Sequence, residues 1–86
     1  MTLALTRDVS LADVEDGAVL LDERRGRYFK LNATGRATLA LLLEGHSPEE
    51  AAAKLTERHP AAAERALADV HVLMRGLLDA KLAVRS

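Results

Sequence analysis

The chain has 86 residues, with twelve Lys and Arg against thirteen Asp and Glu, a formal net charge of −1 and no cysteine. That length provides one domain with a single modest core. The balanced charge leaves no global basic field for nucleic acid or an anionic membrane, and the absence of thiols excludes a disulfide framework and thiolate metal sites.

Hydrophobic residues make up 49 % of the chain but aromatics only 2 %, so the apolar content is largely alanine and leucine. This composition favours helices that pack closely through small side chains. The longest unbroken apolar run, Leu39–Leu43, is far too short to span a membrane. Arg7, Asp8 and Asp13 near the start do not fit a signal peptide, and a cytoplasmic location is expected.

In chain order, residues 1–8 alternate weakly at Leu3 and Leu5, as an extended arm or a first strand would. Residues 9–14 alternate better and read as the first strand of a meander, with Val9 and Leu11 on one side. Glu15-Asp16-Gly17 makes a turn into a second strand over 18–22. Asp22 to Gly26 then supplies turn chemistry, solvated acids included, with Gly26 free to take a positive φ. A third strand over 27–31 holds both aromatics of the chain, Tyr28 and Phe29. Neighbours in a strand point to opposite faces, so only one of the two rings can enter the core. The connections are too short for crossover helices, so the sheet is antiparallel.

Three helices follow. Asn32 caps the first, over 33–44, and Gly45 stops it. Ser47-Pro48-Glu49-Glu50 is a strong start for the second, over 48–58: serine caps, proline sits where its missing N–H is harmless, and Glu50 closes a capping box. Glu50 and Lys54 are spaced to pair on its exposed side. Pro60 opens the third, over 61–80. At 100° per residue its apolar positions (Ala62, Ala63, Ala66, Leu67, Val70, Leu73, Met74, Leu77, Leu78) span an arc of roughly 160°. That width suits either a core plus a groove, or a core that touches both the sheet and the other helices. The tail Leu82–Val84 reads as a closing strand-like contact. The fold class is α+β, a three-stranded sheet followed by three helices.

Residues that could carry chemistry are sparse. His46, His59 and His71 lack metal-ligand spacing, and Ser47 is accounted for as a cap. The glycines are scattered singly, with no phosphate loop. Catalysis, metal and cofactor are therefore not expected. Arg24, Arg25 and Arg27 resemble the wing of a DNA-binding winged helix, but the last helix alternates Arg65, Asp69, Arg75 and Asp79 and is not a basic reading helix. Peptide binding fits better. The third strand has one neighbour, so its other edge is open to an added strand, and the apolar arc of the last helix faces it across a groove.

The runs Asp16–Gly35, Leu41–Pro60 and Glu64–Val84 resemble the PqqD-like family of leader-recognition proteins, and within it the free-standing B-type proteins of lasso-peptide pathways. The specific elements are GRYxxLNxTG (Gly26–Gly35), the His59-Pro60 pair, Ala68-Asp69-Val70, and the closing Ala80-Lys81-Leu82-Ala83-Val84. Phe29 stands where the subfamily often has tryptophan, which alters the size of a pocket there. The resemblance implies a winged-helix-like fold over 1–86, forming one leader-recognition domain without catalysis. It implies binding of a precursor's N-terminal leader, with a tyrosine followed three residues later by a proline. A separate cysteine peptidase would then receive the complex. The related alternative is a subunit that presents a quinone-cofactor precursor.

Carried over by position, the strand part of the site is Arg27, Tyr28, Phe29, Lys30 and Leu31, and the helix part is Asp69, Val70, Leu73, Met74 and Leu77. Asp69 either orients a basic group of the peptide or pairs with Arg65. Either Leu73 or Met74 faces the groove. Arg24, Arg25 and Arg36 are candidates for the peptidase-facing surface. On this reading Val70→Asp or Leu73→Asp weakens leader binding and leaves the helices intact.

Overall fold

The computed structural model describes residues 3–85; Met1 and Thr2 of the N-terminal arm, and Ser86, lie outside the described residues. The elements run β1 (Leu3–Leu5), β2 (Val9–Val14), β3 (Gly17–Asp22), β4 (Arg27–Asn32), α1 (Ala33–Leu43), α2 (Pro48–Arg58), a 3-10 turn (Pro60–Ala62), α3 (Ala63–Asp79) and β5 (Ala83–Arg85). The expected meander is present in the order β2-β3-β4. The arm and the tail, read separately from sequence, pair with each other as a second, two-stranded antiparallel sheet, Leu3 opposite Arg85. The third helix starts two residues later than expected because Pro60–Ala62 forms a tighter 3-10 turn, after which α3 has no side-chain cap.

Register explains which side chains are covered. Leu11, Leu20 and Phe29 lie in one row across the sheet, and Ser10, Leu21 and Tyr28 in the next. The first row faces the helices: Leu20 is fully buried, and Leu11 and Phe29 pack against the core. The second faces solvent, leaving Tyr28 68 % exposed. Gly17 is obligatory where β3 meets β4. Its φ is +152°, and a Cβ there would sit 1.9 Å from the Leu31 carbonyl oxygen.

The caps form as read. Asn32 Oδ1 accepts from the Gly35 N–H at 2.8 Å. Ser47 Oγ accepts from the Glu50 N–H at 3.1 Å, while Glu50 Oε1 accepts from the Ser47 N–H at 2.9 Å. The Glu50 carboxyl titrates below its usual value, chiefly because of that backbone hydrogen bond, with burial opposing. Its ion pair within 4 Å is to His46 Nδ1, at 3.9 Å, and not to Lys54.

Helices α1 and α3 end in the same way. The Gly45 N–H bonds to Leu42 and the His46 N–H to Leu41; the Lys81 N–H bonds to Leu78 and the Leu82 N–H to Leu77. This is a Schellman motif in both cases, and it needs a left-handed residue. Gly45 takes it at φ +102°, whereas at the second site Lys81 takes it at φ +62°. The core sits between the inner sheet face and the helices, and its largest fully buried side chains are Leu3, Leu20, Leu39, Leu42, Leu82 and Val70.

Candidate functional site

Among the described residues, strand β4 pairs with β3 on one side and with no strand on the other. Alternate residues of an antiparallel strand direct their N–H and C=O away from the partner, so the free edge presents unpaired main-chain donors and acceptors. Beside that edge, between the end of β4, the start of α1 and the middle of α3, lies a groove of about 420 Å³. Lys30, Leu31 and Asn32 line it from the strand and Asp69, Val72 and Leu73 from α3; Thr34, Gly35 and Thr38 form its α1 side. The walls are apolar at Leu31, Val72 and Leu73 and charged at Lys30 and Asp69. Thr38 is buried, with its hydroxyl donating to the Thr34 carbonyl at 2.8 Å.

Of the ten expected site residues, four line this groove: Lys30, Leu31, Asp69 and Leu73. Phe29 lies under the sheet against the core, and Tyr28 points outward from the opposite face. Val70, Met74 and Leu77 are core residues, with Val70 0 % exposed. None of them lines the groove, so Val70→Asp would strike the core rather than a binding wall. Leu73 lines the groove, while Met74 borders a different cleft with His71 and Arg75. Val72, 72 % exposed, is a groove residue that the sequence reading missed. Its signal was weak, since it lies outside the core-facing arc. Among the described residues no salt bridge involves Asp69, so pairing with Arg65 does not occur.

Asp22 is not the solvated turn residue that its place among polar neighbours suggests. Its side chain is 2 % exposed and gathers the hairpin tip around it. Arg27 Nη2 donates to Asp22 Oδ2 at 3.1 Å, the Arg25 N–H donates to Oδ1 at 3.3 Å, and Arg25 Nη1 lies 3.5 Å from Oδ2. Burial pushes the Asp22 carboxyl up, but the Arg27 hydrogen bond, the Arg25 N–H and the two cationic charges together hold it below its usual value. Two of the three arginines that suggested a DNA-binding wing are thus engaged within the hairpin. Arg36 is likewise engaged, with Asp13 at 2.6 Å. Arg24 alone of the suggested peptidase-facing arginines forms no salt bridge among the described residues.

Residues 17–83 match the family model of coenzyme PQQ synthesis protein D, PqqD. The chain belongs to the PqqD family. Two solved structures share the whole architecture. One is lasso peptide synthetase B1 complexed with the leader peptide, at 33 % identity and a TM-score of 0.89, covering 99 % of this chain and all of that one. The other is TbiB1 in complex with the TbiA(beta) leader peptide, at 28 % identity and a TM-score of 0.82, covering all of this chain and 98 % of that one. A comparison with curated proteins finds no match. Within the PqqD family, then, the likeness in three dimensions is to two proteins solved with a leader peptide bound, one of them a lasso peptide synthetase B1.

Proposed function

We propose that this PqqD-family protein captures the leader of a ribosomally made lasso-peptide precursor, by adding the leader as a fourth strand to the open edge of β4. The observation that carries this is the unpaired edge of β4 lying beside a groove. Main-chain hydrogen bonds along the edge supply affinity, and the groove supplies selectivity. Leu31, Val72 and Leu73 take the apolar side chains of the leader, the tyrosine and proline of a Tyr-x-x-Pro leader among them. Lys30 and Asp69 select the charge of neighbouring positions. The protein performs no chemistry itself. It acts in the cytoplasm and hands the bound precursor to a separate cysteine peptidase that removes the leader, with Arg24 on the contacting side.

The test is fluorescence anisotropy of a labelled leader peptide, taken from the precursor encoded beside this chain and titrated with the protein. Saturable binding that is lost when the leader tyrosine is replaced by alanine is the expected result. No binding well above micromolar protein, with or without the peptidase, overturns the proposal.

A further inference from the structure

We propose that Arg27 is a positioning residue that fixes the spacing between the two walls of the groove without touching the bound peptide; this rests on the reading of that groove as the leader site. One guanidinium nitrogen, Nη2, donates to Asp22 Oδ2 at 3.1 Å and to the main-chain oxygen of Ala80, the C-cap of α3, at 3.0 Å. Arg27 begins β4 and Ala80 follows the last residue of α3, so a single side chain ties one groove wall to the other. The strand and helix run antiparallel from this tie. Their far portions, Lys30 and Leu31 against Asp69 and Leu73, stand apart around the groove.

Three features make the tie specific. The last turn of α3 contains no basic residue of its own. A helix C-terminus attracts positive charge through its unpaired carbonyls, and here Arg27 brings that charge from another element. The guanidinium also lies over the Phe29 ring, 5.2 Å from its centroid, which restricts where it can point. Finally, Asp22 borders the cleft on the other side of the tie, with Arg24 and Lys81, and not the peptide groove. Asp22 therefore acts on the peptide indirectly, and Arg27 is its bond to the strand that walls the groove.

That separation supplies the test. Kd for the labelled leader is measured for the wild type, Arg27→Gln, Asp22→Asn, the double variant and Thr6→Val, each alongside its thermal midpoint. Thr6 Oγ1 donates to the Lys81 carbonyl at 2.8 Å, so Thr6→Val removes a bond at the same helix end that does not involve β4. The expected pattern is a loss of affinity of about tenfold for Arg27→Gln and for Asp22→Asn. The double variant should lose no more than either single one, and Thr6→Val should keep wild-type affinity despite a lower midpoint. Arg27→Lys, which keeps charge but loses the planar fork, falls between wild type and Arg27→Gln, and it carries the test if Asp22→Asn does not fold.

A loss confined to Arg27→Gln would mean that the guanidinium touches the peptide directly and would overturn the positioning role. Equal affinity losses at equal stability losses, Thr6→Val included, would reduce Arg27 to a general stabiliser and overturn it as well. If the wild type itself binds no leader, the reading of the groove fails first, before any variant is compared.

Discussion

The two ends of the groove are built by different means. At the closed end β4 and α3 are bonded together, through Arg27 to Asp22 and the Ala80 carbonyl. At the open end the same two elements face each other across about 420 Å³, with Asp69 on one wall and Lys30 on the other, neither in a salt bridge among the described residues. The difference teaches that a binding groove in a domain this small need not be a cavity left in the core. It can be a gap between two elements pinned at one end, with the main-chain groups of the strand left free along the other.

Substitutions should separate the core, the open end of the groove and its closed end. The largest effect is expected in the core. Val70→Asp places an unpaired carboxylate in the core at a cost of at least about 4 kcal/mol, against a total stability of about 5–15 kcal/mol for a small domain. Circular dichroism should show the helix signal lost or the midpoint severely lowered. A well-folded Val70→Asp protein would mean that Val70 faces the groove after all.

Next comes the strand crossing at the open end. Gly17→Ala forces a Cβ against the Leu31 carbonyl at a positive φ, which should cost about 2–3 kcal/mol in a urea titration. It should also disturb leader binding, because Leu31 is both the obstructed residue and a groove wall. Leu73→Asp is the cleaner test of the open end. It should keep the helix signal and weaken the leader about tenfold or more; anisotropy at wild-type affinity would remove Leu73 from the site.

The smallest effect concerns pH at the closed end. The folded pKa of Asp22 is lowered, so its stabilisation is complete above the unfolded carboxyl value of about 4 and disappears as pH falls through the folded value. Urea midpoints between pH 5 and pH 2.5 should therefore fall more steeply for the wild type than for Asp22→Asn. Parallel curves would mean that the carboxylate does not carry the tie.

The same contrast explains what could be read from the sequence. The meander, all three helices and both side-chain caps were legible because each rests on contacts within a few residues: Asn32 to Gly35, Ser47 to Glu50. The open edge was legible for the same reason, since a meander gives its last strand only one neighbour within the meander. Contacts distant along the chain were not. The pairing of β1 with β5 joins two short segments, neither of which signals its partner. The burial of Asp22 depends on Arg27 and on the packing behind the hairpin, so its place in a run of polar residues was misleading. Of the ten residues expected at the candidate site, four line the groove. The family motif pointed to the strand and the helix that border the groove, but an apolar arc cannot distinguish a core residue, such as Val70, from one that lines the groove, such as Leu73. Val72 faces away from the core and was missed because hydrophobic periodicity reports the core.

The pairing of β1 with β5 has a consequence for how such a module can be joined to other proteins. With Leu3 opposite Arg85, the polypeptide enters and leaves the domain at one point. Adjacent ends tolerate insertion into a surface loop of a host protein as well as fusion at either end. A host carrying the domain in this way would hold it by a single pivot, and the length of the two tethers would set how far the domain can swing towards a host active site.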